Sequence, residues 1–535
     1  MPSSTIGWTA LVLTALACGG DGAGTGTSPM AGGSAVYCAT ELPDALNAFV
    51  SPDLAAADLR PLLFSPLVLY DDTAGVRPHL ARSWEWQDEG RMLRFDIRDD
   101  LTWHDGQPLT AEDVAWTIRA AADTAMPYFR RADFETLDEV TAAANAVTLR
   151  FAEPYAAGLE PFIALPILPR HLLGTVTGEA FRILPYHRTP VGSGPFRIRG
   201  RTADGSIVLE ANTTYPQDLG RPLLDRLVLR GLPDASTALI ELQTGGADVC
   251  ELGSSSARDV ATAPELSALP LEPARVQVLP LDTRQPPFDD RRVRRAVSAA
   301  LDRTQLAAAV SPLARPARTF LPAGAARWLD SAWLQPDGDT ALAALLLDSA
   351  GWTRSGPGAL RADAQGRPLR FTMVGPRPYE NLLTVVQAQL RSAGLDARIQ
   401  LMEGAAYIAA LQDPDARPAF MALAFSPDAI VLPNPGEELR TGGGSNLASY
   451  SDPQVDSLVA ILGTVIEDGH RRAIYAELQR RVALDVPIVY TIHSPRMLAV
   501  GPRLHGVRVD VNGPFASAAR WWIGDPGAAE PAAAR

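Results

Sequence analysis

A chain of 535 residues with 47% hydrophobic and 20% charged side chains is too long for one core and too apolar for a disordered segment, so two or three packed units are expected. Its formal net charge of -13 argues against nucleic acid, whose phosphates call for clustered positive charge. All 48 basic side chains are arginine, which excludes any chemistry built on a Walker, Schiff-base or cofactor-linking lysine.

The first segment, "IGWTALVLTALAC", carries an apolar run from Ile6 to Ala17, too short to span a bilayer as a mature helix. It ends in small residues before Cys18 and resembles a bacterial lipoprotein signal. That resemblance implies a signal peptide over residues 1–18, lipid on Cys18 and attachment to the cell membrane. The Gly/Ser/Thr-rich stretch 19–34 then reads as a flexible tether with a reach of about 20–24 Å. "AVYCAT" and "ADVCEL" read as strands and hold the other two cysteines, Cys38 and Cys250. An oxidising compartment permits a disulfide between them, and two buried free thiols are an equal reading. The 7 histidines are scattered and no CxxC or HExxH spacing occurs, so neither a metal site nor a cofactor is expected.

Further on, "LRFDIR" alternates Leu93, Phe95 and Ile97 on one face, the pattern of a half-buried strand. "TWHDGQPLTAEDVAW" follows, with His104 beside Asp105 in front of Glu112 and Asp113. It could be taken for a catalytic dyad with spare ligands, but every polar residue has a local structural role. Asp105-Gly106 makes a turn. Thr110 caps a helix with Asp113 at the capping-box spacing, and the carboxylates suit its positive end. Val114, Ile118 and Ala121 recur at helical spacing. The stretch therefore reads as scaffolding. "VGSGPF" departs from a dinucleotide loop, because Arg197 stands at the third glycine position; it reads as a turn into the strand "FRIR".

In the second half, "FDDRRVRRAVSAALDR" places Val293, Val297, Ala300 and Leu301 at helical spacing, with Asp289 and Asp290 at the favourable end. Its arginines read as a solvated helix face, given the acidic chain around them. "SPLARPARTFLPAGAARW" reads as a Pro/Ala-rich loop. Alternating strand and helix patterns argue an α/β architecture.

One family brings these blocks together. "LARSWEWQDEGRMLRFDIRDDLTWHDGQPLTAEDVAWTI" closely resembles the signature of peptide/nickel-type (family 5) extracellular solute-binding proteins, the capturing subunits of ABC importers. "TPVGSGPFRIRG", "PPFDDRRVRRAVSAALDR", "QAQLRSAGLDARIQL" and "NLASYSDPQVDSLV" agree in order, over residues from about 36 to 522. The resemblance implies a two-lobed periplasmic-binding-protein fold of the large, three-subdomain type, with a hinge and an interlobe ligand cleft. Lobe one would take residues 35–278 and 486–535, with an accessory subdomain at about 70–170, and lobe two residues 279–485.

The dipeptide-binding branch of that family carries an Arg-Pro-Tyr triplet on a cleft loop and an acid that meets the peptide ammonium. The matching segments here are "GPRPYENLL", with Arg377 and Tyr379, and "LAFSPDAIV", with Phe425 and Asp428. A planar guanidinium suits a carboxylate and a carboxylate suits an ammonium once the cleft excludes water. The resemblance thus implies a monomeric, extracytoplasmic binding protein, not an enzyme, that captures short peptides and delivers them to a membrane permease. The same scaffold could instead carry a metal-chelator complex, haem or a sugar, or act as a surface sensor. A secreted hydrolase finds no support, since there is no G-x-S-x-G elbow and no zinc set.

Overall fold

The computed structural model describes residues 30–40, 42–47, 49–50, 54–71, 75–271, 275–413, 417–425 and 432–525; Cys18, the expected signal peptide, most of the tether and Asp428 lie outside them. Two lobes are built on separate sheets. In the first, seven strands run in the order Ser267–Pro270, Arg496–Val500, Val249–Gly253, Ser34–Ala39, Arg226–Gly231, Ile207–Ala211 and Phe196–Arg201. Ser34–Ala39 lies parallel to both its neighbours, and parallel strands need cover on both faces. The sequence provides it by alternation: Ala35, Tyr37 and Ala39 enter one core, while Val36 and Cys38 face another.

The second lobe holds a four-stranded sheet in the order Arg315–Pro316, Ile488–Ser494, Arg275–Pro280 and Leu423–Phe425. Beside it, strands Arg370–Pro376 and Asp396–Met402 pair in parallel through the helix Glu380–Ser392. The chain leaves the first sheet for the second between Pro270 and Arg275, and returns between Ser494 and Arg496. These two crossings are the hinge.

A further antiparallel sheet, in the order Ala81–Gln87, Met92–Ile97, Ala146–Phe151 and Leu137–Ala143, shares the core of the first lobe. Leu93, Phe95 and Ile97 are buried there as the alternation requires. Thr110 precedes the helix Ala111–Ala122, and Asp113 accepts its backbone N–H at 2.9 Å and its hydroxyl at 2.8 Å. His104 and Asp105 do not pair with each other. His104 Nδ1 accepts from Gly192 N at 3.1 Å and Nε2 reaches the Gly194 carbonyl at 3.0 Å, whereas Asp105 meets His171 at 2.7 Å. The histidine fastens the glycine turn to the sheet.

Two expectations change in detail. The arginines of the helix Arg291–Ala300 are not all solvated: Arg294 is 5% exposed and donates to the carbonyls of Asp485 and Phe288, both at 2.7 Å. Five donors on one planar group can satisfy carbonyls that no backbone N–H reaches, which repays its burial. The Pro/Ala-rich loop also adds a short edge strand, Arg315–Pro316, and drives Trp328 fully into the core.

Candidate ligand cleft

At the C-terminal ends of Ser34–Ala39 and Val249–Gly253, next to both hinge crossings, lies a chamber of about 310 Å³. Ligands in open α/β sheets collect at this end of the strands, where loops diverge and backbone groups are free. Its charged lining comes from Asp58, Glu251, Arg275 and Arg496. Arg496, the first residue after the return crossing, donates to Asp58 at 2.6 Å and also to Glu251. Tyr37 closes the set by donating to the second Glu251 oxygen at 2.7 Å. Burial opposes the Arg496 charge, yet the two carboxylates hold its proton more tightly than usual. Burial likewise pushes Asp58 upward against the pull of Arg496, and raises Tyr37 with help from Glu251. The cluster is a rigid, mutually saturated floor.

Arg377 and Tyr379, expected to read the ligand, lie in the second lobe and are not among the residues that line this chamber. Tyr379, in the turn Arg377–Tyr379 before the helix Glu380–Ser392, packs against the core of the second lobe. Burial raises its phenol, and the Arg275 charge pulls it partly back. The backbone of Phe425 pairs with Val276, the residue after Arg275. Arg377 points elsewhere: its side chain is 72% exposed and meets Glu403 at 3.3 Å. The fold therefore brings the Phe425 backbone next to Arg275. Cys38 and Cys250 sit directly opposite each other in neighbouring parallel strands, with Cα atoms 4.4 Å apart, and are joined as a disulfide.

The lobes meet a second time. The buried Glu160 carboxylate accepts the Leu432 N–H at 2.8 Å and the Tyr70 hydroxyl. Arg471, 4% exposed, donates across to the Ala156 carbonyl at 2.8 Å. A cavity of about 660 Å³ lies between these contacts and the second lobe. The sequence reading missed Asp58, Glu160, Glu251, Arg275, Arg471 and Arg496. The available signal was thin: a single charge at the end of an apolar strand, as in "ADVCEL" and "PRMLAV".

Residues 75–432 match the model of bacterial extracellular solute-binding proteins, family 5 Middle. Among characterised relatives, the oligopeptide-binding protein AppA of Bacillus subtilis (strain 168) is 26% identical over 517 residues, covering 92% of this chain and 92% of AppA. The substrate-binding protein CtaP of Listeria monocytogenes superposes with a TM-score of 0.82 at 22% identity, covering 92% of this chain and 99% of CtaP. The AppA structure in complex with a nonapeptide gives 0.75 at 23% identity, covering 93% of this chain and 100% of that one. Among the described residues no helix is long and apolar enough to cross a membrane. With the match extending over more than half of its length and the two-lobed fold with it, the chain belongs to the bacterial extracellular solute-binding proteins of family 5.

Proposed function

We propose that the protein is the capturing subunit of an ABC importer, taking short peptides into the cleft beside the hinge and handing them to a membrane permease. The observation that carries this reading is the chamber at the hinge, lined by the first lobe and by Arg275 where the chain enters the second, and bearing two guanidiniums and two carboxylates. Asp58, Glu251 and Arg496 are already bonded to one another, so each charge of a bound peptide needs a partner of its own once water is excluded. The relative AppA, named as an oligopeptide-binding protein, supports the same cargo. In this reading Asp428 pairs with a ligand ammonium, Arg377 with a ligand carboxylate, and Tyr379 and Phe425 contact the ligand. Mass spectrometry of small molecules released by denaturing the purified protein tests it. Peptides are expected, and a metal chelate or sugar in their place overturns it.

Anchoring through lipid on Cys18 completes the proposal, since a captured ligand must be delivered at the membrane surface. More than one acyl chain is needed for firm attachment. Cys18→Ser is expected to release the protein into the aqueous fraction. An unmodified wild-type protein already found there removes the anchor from the account.

A further inference from the structure

Of the four charged side chains that line the hinge chamber, three are spent on one another. Arg496 bridges Asp58 and Glu251, and the remaining Glu251 oxygen takes the Tyr37 hydroxyl. The fourth, Arg275, has no ion pair or side-chain hydrogen bond among the described residues, and its side chain is exposed. Its backbone is not loose: Arg275 pairs with Ser494 as the first residue of the strand that enters the second lobe. Its charge is felt by the Tyr379 phenol of that lobe. The guanidinium thus stands at the hinge, over a floor built by the first lobe.

We infer that Arg275 is a ligand-binding residue, taking a carboxylate of the bound peptide inside the chamber. The inference rests on the peptide reading above and adds a contact that the resemblance to the dipeptide-binding branch does not supply. Three physical points carry it. An arginine presents two parallel N–H groups that match a carboxylate. The nearby carboxylates are held by Arg496 and Tyr37 and make no ion pair with Arg275. Arg275 also begins the strand that enters the second lobe, so a ligand held there sits where the two lobes join. The carboxylate could be the peptide's terminus or an acidic side chain; the chemistry at Arg275 is the same.

The test is calorimetry of the purified mature protein with Ala-Ala-Ala, Ala-Ala-Ala amide, Ala-Glu-Ala and Ala-Gln-Ala. Wild type is expected to prefer the acidic member of at least one pair, the first pair reporting the terminus and the second the side chain. Losing a hydrogen-bonded charge contact corresponds to about ten- to a hundredfold in affinity. Arg275→Gln should abolish that preference, while Arg275→Lys, which keeps the charge but not the fork, should retain part of it. Unchanged thermal melting of both variants shows that the fold is intact. If Arg275→Gln keeps the wild-type preference, or wild type has none in either pair, the inference is overturned while the peptide reading stands. Wild type that binds none of the four peptides overturns the peptide reading, and this inference with it.

Discussion

Glu160 and Leu432 join the two lobes: the carboxylate of one accepts the backbone N–H of the other at 2.8 Å. The chain distance between them is 272 residues, so the contact exists only when the lobes are together. Arg471, buried and bonded to the Ala156 carbonyl, reinforces it. A hydrogen bond to a charged acceptor contributes about 1.5–3 kcal/mol, a large fraction of the few kcal/mol that separate open and closed states. Glu160→Gln removes the charge and offers an amide N–H where an acceptor is required. Small-angle scattering should show a larger radius for this variant than for wild type without ligand. Superimposable curves would mean that the contact does not hold the lobes together.

The Cys38–Cys250 bridge closes a loop of 212 residues. Chain entropy gives such a closure on the order of 4–5 kcal/mol, although measured gains often fall below that. Reduction of the purified protein should lower its melting temperature, and the Cys38→Ala/Cys250→Ala variant should melt near the reduced wild type without responding to reductant. Thiol titration of unfolded, unreduced protein that finds both thiols free would remove the bridge.

The parts of this fold that were legible in the sequence are those fixed by neighbours in the chain. The alternation of Leu93, Phe95 and Ile97, the Thr110–Asp113 cap and the spacing of Val293 and Val297 all act within one turn or one strand. "VGSGPF" was legible as a turn but not for its reason. A Cβ on Gly192 would lie 1.8 Å from the Leu63 carbonyl oxygen, and that oxygen accepts the N–H groups of Ser193 and Gly194 at 2.9 Å each. The floor of the cleft was not legible at all, since Asp58 and Arg496 stand 438 residues apart. An isolated charge beside a strand carries no trace of such a partner. Arg294 escaped notice for the same reason, its carbonyl partner at Asp485 lying 191 residues away.

Burial holds His104 as the neutral imidazole, with its pKa pushed down to about 4, and does the same to His79, pushed down to about 3. In the unfolded chain both take up protons near pH 6.5. The unfolded state therefore binds more protons between those values, so stability is full above about pH 6.5 and is lost as pH falls through about 4 and then 3. Each histidine contributes a slope of about 1.4 kcal/mol per pH unit within its window. Urea midpoints measured from pH 7 to pH 4 should fall steadily. His104→Gln, whatever its effect at pH 7, should flatten that slope by one proton's worth. An unchanged slope would show that His104 is solvated and titrates normally.

Asp428 is the sharpest of the proposed ligand contacts, and its place in the chain constrains it. It lies three residues after Phe425, whose backbone pairs beside Arg275, and four before Leu432, whose N–H is held by Glu160. Of these two flanking residues, one is paired next to Arg275 and the other joins the two lobes. A peptide ammonium that enters there loses its water when the lobes meet, and an unpaired charge in such a place is costly. Removing one member of a desolvated pair costs about 3–5 kcal/mol, because its partner stays buried alone; at roughly 1.4 kcal/mol per decade this is two to three orders of magnitude or more in affinity. Asp428→Asn preserves the shape of the side chain and deletes its charge. Calorimetry should show free-amine peptides binding wild type far more tightly than this variant. N-acetylation of the same peptide should weaken binding to wild type but cost little further in Asp428→Asn, because the two changes remove the same pair. Equal affinity of both proteins for the free-amine peptide would make Asp428 an ordinary loop charge and favour a cargo without an ammonium.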